Sequence, residues 1–422
     1  DVAAELAAPR DGYAEPVRLP LRREHPKGWE PGVEERGNTA TACSEPLEDP
    51  HPDERRLLVG WNLDPDHWRI VGPLNVRRWQ AVVPVKADGK TVGYEEKWLY
   101  YYRANLERID PVRVVELERL YCEIRDHVPA PAESVPAPDG AMVVTLADPQ
   151  MGKADGDGVE GTVHRCLAKI ERVVGRVSEL RAIGREIGTL YLFGLGDLIE
   201  NCDGHYAQQA FRTQLNMRDQ VGVMRRLVVR MLERWAPLFS RVVVGAVGGN
   251  HGEVRRDGKS YTDFGDNYDL SIFDQVEDVL NQNPTAFGHV KFRIPKDELA
   301  LTFDVEGEIV GITHGHIVQS SKATASKFAP EASTIAKRVM DWWAQQAHGQ
   351  QAIGDARILI TGHYHHLLVT ESGSKTHIQA PALEGGSDWW RHGSGQVSRP
   401  GLLTLRVGRG VSESGWADLE VL

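Results

Sequence analysis

Beyond Gly140, five apolar runs each end in a cluster of Asp, Asn, Gln or His. The clusters are Asp148-Pro-Gln150, Gly196-Asp197 with Glu200 and Asn201, Gly249-Asn250-His251 with Glu253, His314-Gly-His316, and Gly362-His363-Tyr-His365-His366. Short apolar runs stopped by turn residues read as buried strands. Open α/β sheets bind ligands outside the carboxyl ends of their strands. A chain with this pattern must gather those ends at one edge, where the side chains form a mixed oxygen/nitrogen donor set suited to Mn, Fe, Zn or a similar divalent ion. The four cysteines, Cys43, Cys122, Cys166 and Cys202, are scattered with no CxxC pair, so neither a thiolate site nor a disulfide framework is expected. The glycines before Asp197, Asn250 and His363 read as points where the backbone turns sharply to aim a ligand inward.

The rest of the chain organises around these runs. Residues 1–56, rich in Pro, Glu, Asp and Arg, read as an extended arm that cannot bury enough apolar area to offset ordering entropy. Residues 57–128 carry Trp61, Trp68, Trp79 and Trp98 with Tyr100, Tyr101 and Tyr102, enough aromatic mass for a small α+β module. Within it KWLYYYRANLERI reads as a strand, and Leu117, Leu120, Ile124 and Val128 have helical spacing. Residues 129–140 form a Pro-rich linker, and 141–422 the main domain. There, helices are expected over Val163–Leu180, Phe211–Trp235, YDLSIFDQVEDVL and STIAKRVMDWWAQQ. Strands come at each cluster and at VKFRI, LALTFDV, HLLVT and PGLLTLRV. The expected class is a layered α/β domain with mixed sheets.

The order D-x-Q, GD-x-x-E, GNH, H and GH-x-H, each after a strand, resembles the calcineurin-like metallophosphoesterase superfamily over about residues 141–406. That resemblance implies a metallophosphoesterase fold, with mixed β-sheets flanked by helices, and a two-metal hydrolase. Carried over, Asp148, Gln150 and His365 would hold the first ion. Asp197 would bridge both ions, and Asn250, His314 and His363 would complete the second. His251 would serve the leaving oxygen, so His251 and Asp197 are the catalytic candidates. Two dications about 4 Å apart clamp a phosphoryl group and activate water, and their repulsion requires an anionic bridge such as Asp197. Gln150 stands where most relatives place histidine. Its carbonyl is a harder, weaker donor than imidazole, so the first ion is expected to exchange and to favour Mn over Fe or Zn, with Mg and a mononuclear resting state as alternatives.

DPQMG and GDLIE further resemble the double-strand-break-repair and phage nuclease branch, which implies DNA as partner, a single strand or a duplex end, and makes a homodimer an expectation. It also implies an intracellular protein encoded by a phage in a bacterial host. Arg255, Arg256 and Lys259 follow His251 and are candidate phosphate contacts, against the alternative of a solvated charged loop. Gly252 to Gly258-Lys-Ser looks like a nucleotide loop, but five residues rather than four separate its glycines, so no ATPase motif is expected. Glu200 and Asn201 read as groups that support the ligands, and His316 as an alternative to His314. His205, His366 and His377 read as ordinary polar histidines, Met224 and Met231 as packing. Trp342–Trp343 reads as helix packing, and Trp389–Trp390 as packing or a stacking platform.

Net charge of -11 argues against a protein that coats nucleic acid or anionic membrane by bulk electrostatics. No apolar run reaches the roughly 20 residues of a membrane span, and the N-terminus shows no signal-peptide core, so an intracellular location without membrane is expected. The alternatives to a nuclease are an esterase for a small phosphodiester or a phosphoprotein, and a scaffold built on a dead phosphoesterase fold.

Overall fold

A computed structural model describes residues 29–36, 39–63, 65, 68–87, 90–108, 117–128, 140–206, 209–256, 258–318, 332–386 and 398–422. The chain divides into two units, Asp1–Pro111 and Val112–Leu422.

In the first unit, small alternating residues build a sheet where the composition suggested an arm. Strands β1 (Gly32–Arg36) and β2 (Thr39–Cys43) pair antiparallel and precede helix α1 (Glu54–Gly60). They join β3 (Trp68–Ala87) and β4 (Lys90–Arg108) in the order β1-β2-β4-β3. Ala40 and Ala42 leave room for Trp61, Trp68, Tyr102 and Leu106 in one core. The Asp/Glu-rich average over 1–56 hid this two-residue alternation.

The second unit begins with helix α2 (Leu117–Arg125). The expected module ran through residue 128, but Leu120 and Ile124 are buried in the core of the second unit, and Asn283 Nδ2 donates to the carbonyls of Ile124 (3.0 Å) and His127 (2.9 Å). Periodicity showed the helix without showing which core its apolar face would enter. The stretch 129–139 lies outside the described residues.

Two sheets follow. The first uses β5 (Ala141–Leu146), β6 (Thr189–Gly194), β7 (Arg241–Ala246), β10 (Val290–Arg293), β16 (Leu403–Val407) and β17 (Trp416–Val421), in the order β10-β7-β6-β5-β16-β17. The second uses β11 (Ala300–Val305), β12 (Glu308–Thr313), β13 (Ile358–Thr361), β14 (Leu368–Ser372) and β15 (Lys375–Gln379), in the order β11-β12-β13-β15-β14. A two-residue hairpin, β8 (Arg255–Arg256) and β9 (Lys259–Ser260), stands apart from both.

Strand alternation decides the layering. Met142, Val144 and Leu146 point into the helix-side core with α3 (Gly158–Ala182), α4 (Met217–Trp235), α5 (Tyr268–Leu280) and α6 (Pro284–Phe287). Ala141 and Val143 point the other way, with Tyr191, Phe193, Phe303, Ile312 and Ile360, and fill the space between the sheets. Helix α7 (Ala332–His348) covers the far side of the second sheet through Ile335, Val339 and Trp343. The result is the expected α/β class, mixed sheets flanked by helices. Among the described residues no helix is long and apolar enough to cross a membrane.

Register aligns the strand ends. Leu146 pairs with Gly194 and Gly194 with Ala246 across the parallel β5-β6-β7 set, and Thr313 pairs with Thr361 across parallel β12-β13. The loops after β5, β6 and β7 therefore leave from one level, and those after β12 and β13 from another shared level.

Candidate metal centre

Three of the five loops carry their polar residues in a backbone conformation that side chains rarely adopt. Asp148 (φ 49°), Gln150 (φ 39°), Asp197 (φ 51°), His363 (φ 70°) and His365 (φ 61°) are all left-handed. Such strain concentrates where the surrounding structure over-determines a functional geometry. The sharp turns expected at the preceding glycines are thus made largely by the ligand candidates themselves. Of those glycines, only Gly196 is left-handed (φ 86°). Gly249 and Gly362 are needed for close approach instead: a Cβ would lie 2.1 Å from Asp197 Oδ1 at the first and 2.7 Å from Asp148 Oδ2 at the second.

Donor atoms of Asp197, His314 and His363 lie within 4.8 Å of one another, a group that could hold a metal ion. His314 Nε2 is 3.1 Å from Asp197 Oδ2, 3.1 Å from Asn250 Oδ1 and 3.1 Å from His363 Nδ1. His314 Nδ1 donates to the Leu195 carbonyl at 2.6 Å, which points Nε2 into the cluster. His316 instead faces Glu253 Oε1 at 3.5 Å, so the structure brings His314 into the group and leaves its alternative beside it. These four donors, one carboxylate, one amide oxygen and two imidazoles, fit a divalent ion.

Electrostatics reinforce the centre. Burial opposes ionisation of Asp197, but His314 and His251 outweigh it and hold the carboxyl well below its ordinary range. Burial likewise opposes a charged His314, yet Asp197 lifts it to about 9. His363 is pushed well down, first by burial and then by His314.

The Asp148 corner is built differently. Asp148 Oδ1 lies 3.2 Å from His365 Nε2, and His365 Nδ1 is 2.8 Å from Glu384 Oε1. Gln150 does not offer a free oxygen. Its Oε1 accepts from Lys153 Nζ at 2.7 Å, while its Nε2 lies 3.2 Å from His251 Nε2. Lys153 Nζ also pairs with Glu384 Oε2 at 2.7 Å. Burial raises the Glu384 carboxyl, but Lys153 and His365 prevail and bring it to about 2. Glu384 and Lys153 escaped the sequence reading. Lys153 was visible only as the last residue of DPQMGK, and Glu384 as the acid in PALEGG.

His251 is held from three sides. Its Nδ1 lies 2.8 Å from the Glu200 carbonyl and its backbone N–H donates to Asp197 Oδ1 at 2.7 Å. The His205 ring stacks on it at 4.2 Å and 4°. His205 is thus no ordinary surface histidine: burial, then His251, lowers it to about 3, so it stacks as a neutral ring. Glu200, fully buried, accepts from the Tyr206 hydroxyl at 2.7 Å, and Asn201 Nδ2 donates to the His251 carbonyl at 2.9 Å. Both brace the His251 loop.

Asp269 was also unforeseen. Its carboxylate accepts from the N–H groups of Asp197 (2.8 Å), Leu198 (2.9 Å) and Gly249 (2.9 Å), tying the loops after β6 and β7 together. Burial and the neighbouring Asp197 raise it to about 6.

The basic candidates separate. Arg255 pairs with Glu253 at 2.9 Å and is half-buried, whereas Arg256 and Lys259 are exposed on the β8–β9 hairpin, with Arg256 over the Tyr261 ring at 5.6 Å. Met224 and Met231 are core residues, and Trp343 is buried with its indole N–H donating to Ile353 O. His377, read as an ordinary polar histidine, is fully buried beside Thr361. His366 Nδ1 lies 2.8 Å from Tyr364 O. Trp389–Trp390 lies outside the described residues.

Fold and site together define a layered α/β protein with a candidate divalent-metal centre at its strand ends, consistent with a metallophosphoesterase fold. No family model matches the chain, and no curated protein matches it. Similar solved structures include wild-type Vps29 from Entamoeba histolytica complexed with zinc, at 14% identity and TM-score 0.28, covering 63% of this chain and 86% of that one. A novel archaeal phosphodiesterase has 11% identity and TM-score 0.29, with 67% of this chain and 99% of that one covered. A predicted phosphoesterase from Streptococcus pneumoniae TIGR4 has 12% identity and TM-score 0.25, with 63% and 82% covered.

Proposed function

We propose that this chain is a metal-dependent phosphodiesterase that hydrolyses DNA. The observation that carries the reading is the convergence of Asp197, Asn250, His314 and His363 around one point, with His251 tethered to the same Asp197. When bound, a divalent ion there supplies Lewis acidity toward a phosphoryl oxygen and a lowered pKa for water. The chain's own residues orient the reaction. His251 Nδ1 is engaged by the Glu200 carbonyl and Nε2 faces the Gln150 amide nitrogen at 3.2 Å, so Nε2 would hand a proton to the departing oxygen once it turns from that amide. The Asp197 carboxylate supplies the anionic anchor.

A nucleic-acid strand suits the surface beside these loops. Arg256 and Lys259 are exposed for phosphate contacts. Phe211, Tyr261 and Phe264 are 90%, 65% and 53% exposed, large aromatic faces on which bases could stack. Ala154 N–H donates to the Arg212 carbonyl, which ties the Phe211 turn to the Gln150 loop. Incubation with Mn²⁺ and single-stranded, blunt duplex or hairpin DNA, beside a chromogenic phosphodiester, tests the reading, with Asp197→Ala and His251→Ala as controls. DNA cleavage lost in both variants is expected. Turnover of the small ester alone would replace DNA by a small phosphodiester, and no turnover of any substrate would leave a scaffold.

A further inference from the structure

We propose that Lys153 acts as a built-in cation beside Asp148, so that this site holds one divalent ion tightly, at Asp197, Asn250, His314 and His363, rather than two. The inference rests on the metallophosphoesterase reading and departs from it in the ion count.

The first argument is the orientation of Gln150. The oxygen that would ligate an ion accepts from Lys153 Nζ at 2.7 Å, and the amide nitrogen lies against His251 Nε2. Flipping the amide would set an NH₂ group against an ammonium, two donors face to face. A dication drawn to the same oxygen would sit close to a fixed positive charge.

Charge gives the second argument. Asp148, Asp197 and Glu384 are buried carboxylates directed at this pocket. These three carboxylates are already offset by one dication and one ammonium before any proton on the neighbouring histidines is counted, so a second dication would add two further positive charges to a buried site. Of the other buried acids near these loops, Asp269 is engaged by three backbone N–H groups, and Glu200 gives Oε1 to the Tyr206 hydroxyl while Oε2 lies 3.4 Å from His251 Nδ1 rather than toward Asp148.

The lysine is also fixed by its backbone. Lys153 N–H donates to the Gln150 carbonyl at 3.0 Å, and bridges join Met151 to Ile199 and Lys153 to Thr213. Gly152 between them has φ 112°, and a Cβ there would come within 2.6 Å of Gln220. A turn that only glycine fits swings Lys153 back over Gln150. With 12% of its side chain exposed, Lys153 is no solvated surface residue.

Equilibrium dialysis of the whole chain against Mn²⁺, with ions per chain counted by atomic emission and spin coupling read by electron paramagnetic resonance, tests the proposal. The wild type is expected to hold one ion with the spectrum of isolated Mn²⁺. Lys153→Met should raise affinity for a second ion at least tenfold, and the double variant Gln150→His with Lys153→Met should show a coupled pair. Two tightly held, coupled ions in the wild type would overturn the inference while leaving the phosphoesterase reading intact. A folded Lys153→Met chain with unchanged second-ion affinity would overturn it as well. A wild type that holds no ion would overturn both. Should the double variant fail to fold, the wild-type count and the single variant decide.

Discussion

His314 shows how one side chain is set to its task. Its Nδ1 is fixed by the Leu195 carbonyl and its Nε2 is surrounded by Asp197, Asn250 and His363. Against burial, Asp197 holds a proton on His314 up to about 9, and Asp148 with Glu384 holds one on His365 up to about 10. An ion that takes Nε2 of His314 must displace that proton. Raising the pH therefore favours the ion. Affinity for Mn²⁺ is expected to rise by up to about tenfold per pH unit below pH 9 for each proton displaced. Titration calorimetry in buffers of differing ionisation enthalpy should detect proton release near pH 7, and a heat independent of buffer would contradict it. Residue types and order made the ligand candidates legible, because each sits in a short motif directly after an apolar run. Lys153, Glu384, Asp269 and His205 were not legible, since each acts by reaching across to another segment. No local spacing records that Glu384 lies 2.8 Å from His365.

At the scale of elements, the site depends on braces between strand-end loops. Asp269 sits in the first turn of α5 and accepts three buried N–H groups from two loops. Asp269→Ala would leave those donors without partners, at about 1–3 kcal/mol each. Urea unfolding should show a loss of at least about 3 kcal/mol, accompanied by loss of tight Mn²⁺ binding; stability within 1 kcal/mol of wild type would refute the brace. Fully apolar strands such as β5 and β6 were readable as runs. Strand β15 was missed because KTHIQ looks polar, although Thr376, His377 and Gln379 are buried. Gln379 Nε2 donates to His366 O and His377 Nε2 meets Thr361 Oγ1, so each of these buried polar side chains keeps one hydrogen bond. The helix expected from Phe211 begins at Met217, because Asn216 Oδ1 accepts from Asp219 N and caps it. Phe211 precedes the cap in a separate short turn. In α3 the spacing of Val163, Leu167, Ile170, Val174, Val177 and Leu180 marks one apolar face, but Leu167 is 43% exposed and Cys166 and Val173 are the buried residues at those two turns.

Across the whole molecule, the boundary between units predicts how the chain can be cut. Because Leu120 and Ile124 complete the core of the second unit, a chain starting at residue 112 should be more stable than one starting at 141. Two buried aliphatic side chains stabilise by about 1.5–3 kcal/mol each, so thermal unfolding should separate the two chains clearly. Equal melting would place α2 outside the core. His377 sets an acid limit. Burial lowers it from 6.5 to about 4, so between those values the unfolded chain binds a proton that the folded chain refuses. Stability is therefore retained above about pH 6.5 and lost as pH falls toward 4, by about 3 kcal/mol from this group alone. His377→Gln should flatten the pH dependence of the unfolding midpoint in that window; an unchanged slope would assign the acid limit to other groups.

The sequence by itself determined the α/β class of the second unit and the loops from which its polar side chains emerge. Both follow from local rules: apolar runs make strands, and chains turn where glycine and polar residues end them. Only the tertiary structure decided which core α2 joins, that small alternating residues in 32–43 form a sheet, and that an ammonium stands on Gln150. Those outcomes depend on which surfaces meet after the strands align. Packing and charge compensation act between segments far apart in the chain, where periodicity carries no record of them.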